Sequence, residues 1–285
     1  MNIAVLLTTF NRRDKTVISL ESLKNQTSVD NATLQIYLTD DNSSDSTVAD
    51  VLKIFPQANI FQGDGQLFWA GGMRKSWSEA VKADFDFYFL LNDDTILERN
   101  ALSTMIAAYR ELRDELGKGP IIVGSTREVS GTKISYGGKR LISKFGIGYE
   151  TVFNEDRPME CDLGNANIML VPREVVEKIG ILSKKYTHGI ADYDYTLTAK
   201  RSKFKVYVAP GVLGSCEDDH GNSWKSQHST LAERVKFLKS PKGLAYKEYL
   251  YFTRKFFPAS LPLAFAKLWL KTLFPVIWDK FKVVN

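Results

Sequence analysis

The chain has 285 residues, of which 44% are hydrophobic. That is enough for a substantial core and argues against a disordered chain. Two cysteines, Cys161 and Cys216, stand far apart without a metal-type spacing and read as reduced thiols of a cytosolic protein. The opening MNIAVLLTTFNRRD lacks a basic leader and a small-residue cleavage site, so no signal peptide is expected. Net charge is +5, but residues 234–285 hold eleven of the 38 Lys and Arg and two of the 33 Asp and Glu. The remainder therefore carries 27 bases against 31 acids, a balance of −4. The basic surplus sits in the tail, which suggests a tail that meets anionic lipid or nucleic acid.

In chain order, residues 2–8 (NIAVLLT) read as a buried strand and 14–25 as a helix. Residues 33–39 (TLQIYLT) form a second strand, and 45–55 a helix that Asp45 or Ser44 caps. ANIF is a short third strand, 71–83 a helix, FDFYFLL a fourth strand, 98–115 a long helix and PIIVGS another strand. Strands spaced by helices predict an α/β fold with a mostly parallel, Rossmann-like sheet covered on both faces. Ligands bind beyond the carboxyl ends of such strands. Three polar clusters fall there: TTFNR (8–12), TDDNSSD (39–45) and NDDT (92–95). Residues 125–165, rich in Gly, Ser, Thr and Lys, read as short strands and loops. LGNANIMLVPREVVEKIG then gives a strand running into a helix begun at Pro172, and HGIADYDYTLTAKRSKFKVYVAP a helix followed by a strand. From about residue 229 the chain reads as helical, aromatic and basic.

The carboxylates carry the chemistry. Asp40 and Asp41 suit turns and helix caps; equally, a carboxylate at a strand end accepts hydrogen bonds from a nucleobase or ribose. Asp93 and Asp94 stand side by side where an apolar run ends. Like charges that close repel, more so when partly buried, and no basic residue adjoins them in sequence. A divalent cation, Mg²⁺ or Mn²⁺, held by one or two carboxylates and by substrate phosphates, is the expected partner. Asp192 and Asp194 in ADYDYT either suit a helix start through its dipole or supply a general base. His220, in the acidic CEDDHGNSW stretch, is a structural histidine or a contact for metal or diphosphate. His188 and His228 are weaker candidates.

Together and in this order, TTFNR, TDDNSSD, FLLNDDT, GNANIMLVPREVVEKIG and ADYDYTLTAKR resemble the family 2 glycosyltransferases of the GT-A fold, over roughly residues 1–225. Within that family the chain looks most like bacterial enzymes that build rhamnose- or galactofuranose-containing surface glycans, such as O-antigen or capsule. The resemblance implies a nucleotide-binding first loop of Thr8, Phe10 and Arg12, with Phe10 against the base and Asp41 or Asp40 on a pyrimidine edge. It implies ribose contact for Asp93 and metal contact for Asp94, with Asn92 where an acid often stands. Asp192 aligns with the family's catalytic base, with Asp194 as the fallback and Ala191 replacing a Glu. His220 matches a late histidine that reaches the metal or diphosphate. Trp69, Gly71 and Gly72 shape a donor-sugar pocket or form a plain loop-to-helix turn. Gly164, Asn165 and Asn167 line the acceptor side or are buried turn amides. The activity implied is inverting, metal-dependent transfer from a dTDP-rhamnose, UDP-galactofuranose or other UDP-hexose donor to a glycan or lipid-linked glycan.

The chain divides by this reading into a catalytic part, residues 1–228 (nucleotide-binding to 125, acceptor-binding from 126), and a helical C-terminal part, residues 229–285. In LPLAFAKLWLKTLFPVIWDKFKVVN, the residues Leu270, Leu273, Phe274, Ile277 and Phe281 fall near one helical face and Lys267 and Lys271 on another stripe. Charges and Pro275 interrupt every long apolar run, so spanning a membrane is not expected. An interfacial helix at the cytoplasmic face of the membrane is expected, or else a helix packed on the catalytic part or on a second copy in a homodimer. Rival functions are a nucleotidyltransferase, for which the first loop lacks glycine, a non-catalytic nucleotide-sugar-binding module, and nucleic-acid binding, for which the tail has no reader motif.

Overall fold

The computed structural model describes residues 1–29, 32–129, 131–146, 148–217 and 229–275. Its first half runs β1 (Asn2–Thr9), α1 (Arg13–Lys24), β2 (Thr33–Asp40), α2 (Thr47–Ile54), β3 (Asn59–Gln62), α3 (Phe68–Ala80), β4 (Phe87–Leu91), β5 (Ile96–Leu97), α4 (Ala101–Leu116) and β6 (Ile121–Arg127). Short strands follow: β7 (Ile134–Tyr136), β8 (Gly138–Leu141), β9 (Tyr149–Val152), β10 (Met159–Glu160) and β11 (Leu163–Gly164). Then come β12 (Ile168–Pro172), α5 (Arg173–Ile179), α6 (Ala191–Arg201), β13 (Val206–Ser215), α7 (Leu231–Lys239), α8 (Tyr246–Phe256) and α9 (Leu261–Leu273).

Among the described residues the main sheet runs β10-β13-β6-β12-β4-β1-β2-β3, with β5 paired to β13 and β7 to β6. Strands β3, β2, β1 and β4 are mutually parallel, and the register sets Thr9 opposite Asp40 and Leu6 opposite Leu90. The carboxyl ends of β1, β2 and β4 therefore lie side by side, each continuing into one of the polar clusters. Alternation along each strand sends Ala4, Leu6, Tyr88 and Leu90 to one core, and Ile3, Val5, Leu7, Phe87, Phe89 and Leu91 to the other. Helices α3, α5, α6 and α8 contribute to the first core and α1, α2 and α4 to the second. The fold is the mostly parallel α/β sheet that the alternating elements imply.

Strand β12 departs from that rule. It runs antiparallel to both neighbours, with Ile168 opposite Leu91 and Leu170 opposite Ile122. A parallel strand would bring its carboxyl end to the polar edge; the reversed strand brings the residues before it, GNAN, instead. Asn92 N–H donates to the Asn167 carbonyl at 3.1 Å across this junction.

Helix α3 also departs from expectation. It begins at Phe68 rather than at residue 71, so Gly71 and Gly72 lie inside the helix and not in a loop. Its cap is the Asp41 carboxylate, which accepts hydrogen bonds from Gly65 N, Leu67 N and Phe68 N at 2.9, 2.9 and 3.1 Å. That cap comes from a distant strand end, so no local pattern announces it. A Cβ on Gly72 would run into Thr8 Oγ1, so glycine is what lets α3 cross the end of β1. Helix α2 starts at Thr47, whose N–H donates to Asp45 Oδ1 at 3.1 Å, while the Ser44 hydroxyl donates to Asn11 instead.

Candidate active site

The first two polar clusters are stitched into one surface. Asn11, held at a positive φ of 52°, accepts from Ser44 N at 2.8 Å and donates its own N–H to Ser43 Oγ at 2.9 Å. This turn leaves Phe10 45% exposed at the strand end, where an aromatic face in water has no packing reason to be. Of the two carboxylates expected here, Asp41 is engaged by the three amides that start α3. Asp40 is buried; its Oδ2 accepts from Ser43 N at 3.1 Å, while its Oδ1 has no hydrogen-bond partner among the described residues. A buried unpaired carboxylate oxygen is costly, and it marks Asp40 rather than Asp41 as the one with capacity to spare.

At the end of β4, Asp93 and Asp94 have a basic partner that their neighbourhood in sequence does not reveal. Arg12, in the first cluster, forks between them: Nη1 lies 3.0 Å from Asp93 Oδ1 and Nη2 2.7 Å from Asp94 Oδ2. No basic residue adjoins this pair in sequence; the pairing of β1 with β4 brings one from a distance. Burial pushes the Asp93 carboxyl up to about 6, Arg12 pulls it down, and Asp94 pushes it up. Asp94 Oδ1 meets Cys216 Sγ at 3.5 Å, and burial with Asp94 alongside pushes that thiol up to about 12, so it stays neutral. Cys161 and Cys216 are both free and buried. Asn92 accepts from Trp69 Nε1 at 2.8 Å through its side chain and from Ser19 Oγ at 3.1 Å through its carbonyl. Trp69 is thus fastened to the NDD turn.

Among the described residues no group of three or more His, Cys, Asp or Glu side chains is placed to hold a metal ion. Mg²⁺ and Mn²⁺ need less: one or two carboxylates, with phosphate oxygens and water completing the shell. Asp94, backed by Asp93, meets that share, so the donor chemistry fits. His220 lies outside the described residues.

The loop before β12 ties this pair to the second acidic site. Asp192, half-buried at the start of α6, accepts from Tyr193 N at 2.9 Å and Ala166 N at 3.3 Å, and from Asn165 Nδ2 at 3.4 Å. Two residues on, Asn167 is buried, donates its side chain to Cys216 Sγ at 3.4 Å, and carries the carbonyl that meets Asn92. Three consecutive residues, 165–167, therefore join Asp192 to the NDD turn. Gly164 is packed so closely that a Cβ would sit 2.6 Å from Val123 Cγ2, which makes it a packing position. Burial raises the Asp192 carboxyl above the ordinary carboxylate range, against the pull of those donors and of Lys139.

Asp194 is placed differently. It is buried, accepts from Tyr186 Oη at 2.7 Å, and forms an ion pair with Lys255 of α8, whose Nζ lies 2.8 Å from Oδ1 and 2.9 Å from Oδ2. The expected fallback base is thus engaged in fastening α6 to α8. One group at the site had no motif to announce it: Lys139 of β8 donates to Tyr193 Oη at 2.5 Å and lies 4.3 Å from the centre of the Tyr149 ring. The Gly- and Lys-rich middle segment reads in sequence as short strands and loops of the acceptor-binding part, where Gly164 and Asn165 stand out and Lys139 does not.

Comparison with known proteins bears on the family and the fold. The sequence profile described as "Glycosyl transferase family 2" matches residues 4–162. No curated protein matches the chain. Among solved structures, the 1–349 fragment of S. aureus TarS in complex with UDP-GlcNAc is similar at TM-score 0.57 and 15% identity, covering 96% of this chain and 80% of that one. The same fragment in complex with UDP gives 0.54 and 16%, covering 76% and 60%. The mannosyltransferase PcManGT from Pyrobaculum calidifontis, in complex with GDP-Man and Mn²⁺, gives 0.55 and 14%, covering 94% and 69%. This chain spans 41% of the longer TarS structure. At these identities the likeness establishes the fold, GT-A.

Proposed function

The chain belongs to glycosyl transferase family 2, and from that premise we propose that it is an inverting, metal-dependent transferase that moves a sugar from a nucleoside-diphosphate donor to a glycan or lipid-linked glycan of a surface polysaccharide. The observation that carries this reading is the 165–167 segment, whose residues hydrogen-bond to Asp192 at one end and to Asn92 of the NDD turn at the other. A base and a diphosphate site must flank the transferred sugar, and three residues of chain reach at most about 10 Å.

In this reading the base of the nucleotide rests on Phe10 and bonds Asp40 or Asp41, with Thr8 beneath, and Asp93 meets the ribose. Arg12 contributes fixed positive charge where the diphosphate lies. Asp94 would hold Mg²⁺ or Mn²⁺, with His220 as a further candidate ligand; when bound, such an ion supplies Lewis-acid neutralisation of the leaving diphosphate. Trp69, with Gly71 and Gly72 behind it, borders the sugar. Asn165 borders the acceptor, with Asn167 and Gly164 packed behind it, and Lys139 with Tyr193 and Tyr149 extends that side. Asp192 takes the proton from the acceptor hydroxyl as its oxygen attacks the anomeric carbon. The carbon–phosphate oxygen bond breaks with its electron pair on the nucleoside diphosphate, and the anomeric centre inverts. Donors to consider are dTDP-rhamnose, UDP-galactofuranose and other UDP-hexoses. The neighbours' complexes with UDP-GlcNAc and with GDP-Man and Mn²⁺ support nucleotide-sugar chemistry on this fold.

The division into a catalytic part, residues 1–228, and a helical C-terminal part, residues 229–285, belongs to this reading, as does a peripheral position at the cytoplasmic face of the membrane. No helix among the described residues is long and apolar enough to cross a membrane. Helix α9 presents Leu263, Leu270, Leu273 and Phe274 to solvent. A thermal-shift screen of nucleotide sugars with and without Mn²⁺ tests the donor assignment: one donor should raise the melting point selectively and more with the ion. A flat response to every nucleotide sugar would contradict it.

A further inference from the structure

On α8, Tyr246, Leu250 and Arg254 recur every fourth residue beside Lys247 and Tyr251, so all five share one side of the helix. Leu261 and Phe265, one turn apart at the start of α9, complete with them the lining of a cavity of about 410 Å³. That volume is in the range of small-molecule sites, roughly 300–1,000 Å³. The walls are aromatic and aliphatic: the Tyr246 ring lies 6.3 Å from Phe265 and 6.0 Å from Trp269, whose Nε1 donates to Tyr246 Oη at 3.3 Å. The two charged lining residues, Lys247 and Arg254, are exposed, and neither pairs with a carboxylate among the described residues. Arg254 lies 5.9 Å from the Tyr251 ring centre.

What surrounds the cavity narrows its ligand. Leu263, Leu270, Leu273 and Phe274 of α9 and the residue after it are 43–56% exposed, with Lys267 on their flank. Residues 229–275 contain nine Lys and Arg against Glu233 and Glu248. An apolar cleft with a cationic rim, beside an apolar helix face in a basic region, complements a hydrocarbon chain that ends in a phosphate at an anionic bilayer surface. We propose that this cavity binds an acyl chain of an anionic membrane phospholipid, with Lys247 and Arg254 on its phosphate and the outer face of α9 in the interface. The inference rests on the reading above for the enzyme's position at a membrane. Tyr251 also packs on Tyr186, ring centres 5.9 Å apart, and Tyr186 holds Asp194, two residues beyond Asp192. The lipid site and the candidate base are therefore attached to the same packed unit.

Calorimetric titration of the full chain with dihexanoyl-phosphatidylglycerol, kept below its micelle concentration, tests the cavity without a bilayer. Saturable binding is expected, at least fivefold tighter than for dihexanoyl-phosphatidylcholine. It should weaken tenfold or more in Lys247→Ala/Arg254→Ala and in the cavity-filling Leu250→Trp, with melting temperatures confirming folded variants. Absence of saturable binding, or affinity untouched by both variants, overturns the proposal. So does a dimer in light scattering that Leu250→Trp dissociates, because a second copy would then occupy the cleft. Pelleting with phosphatidylglycerol vesicles reads the membrane position separately: Leu270→Glu/Leu273→Glu should abolish pelleting while keeping the soluble-lipid affinity. Unchanged pelleting of that variant overturns the role given to α9. Soluble lipid bound by a wild type that never pellets supports the cavity and removes the membrane position.

Discussion

Asp192 gathers two backbone amides and a side-chain amide yet keeps a raised affinity for its proton, because burial outweighs those donors. In the proposed role as base, such a group is more basic than an exposed carboxylate. Asp192→Asn should lower turnover by about 10²–10⁴-fold, the usual span for a lost general base, and leave donor affinity unchanged; lost donor binding would place Asp192 on the donor instead. Stability gives an independent sign. With its folded-state value raised, the group binds its proton more tightly when folded, so its contribution declines as pH climbs from the ordinary carboxylate value through the raised one. Above that window Asp192→Asn should melt at the same temperature as wild type or higher, and a clear loss there would show that the charged form is stabilised by its donors. Arg12 makes the opposite case. Removing it leaves Asp93 and Asp94 adjacent without their shared guanidinium, so Arg12→Ala should cost about 1–3 kcal/mol in urea unfolding, with Mn²⁺ restoring more stability to the variant than to wild type. Equal responses to Mn²⁺ would mean that the carboxylates do not share a cation site.

At the scale of elements, the alternation of strand and helix was legible from period and turn residues alone, as were the three polar clusters at the strand ends. What escaped depended on contacts between distant segments. The start of α3 is set by Asp41, the partner of Asp93 and Asp94 is Arg12, and the reversed direction of β12 leaves no mark on a buried strand, which reads as an apolar run either way. The Lys255–Asp194 pair lies outside local reading for the same reason. Phe252 and Phe257 share a core with α3 and α6, so α8 is packed onto the catalytic part while α9 turns its apolar face outward. Of the two expectations for the tail, packing on the catalytic part describes α8. Lys255→Met should strand a buried carboxylate and cost about 3–5 kcal/mol, whereas adding Asp194→Asn should return part of that loss. If the double variant is no more stable than the single one, the ion pair is not what joins α8 to α6.

For the whole molecule, the reversed strand lets one edge of the sheet serve both substrates in the proposed reading. The parallel strands bring the nucleotide clusters there, and β12 brings the 165–167 loop that reaches Asp192. Chelation should stop turnover, and Mg²⁺ or Mn²⁺ should restore it; full activity in EDTA would leave Arg12 as the cation that serves the diphosphate. The most direct measurement is a crystal structure of the protein soaked with a nucleotide sugar and Mn²⁺. The account predicts the diphosphate against Arg12 and Asp94, and the anomeric carbon turned toward Asp192 on its far side. A donor bound with Asp192 in a separate pocket, or with its diphosphate away from Asp94, would contradict it.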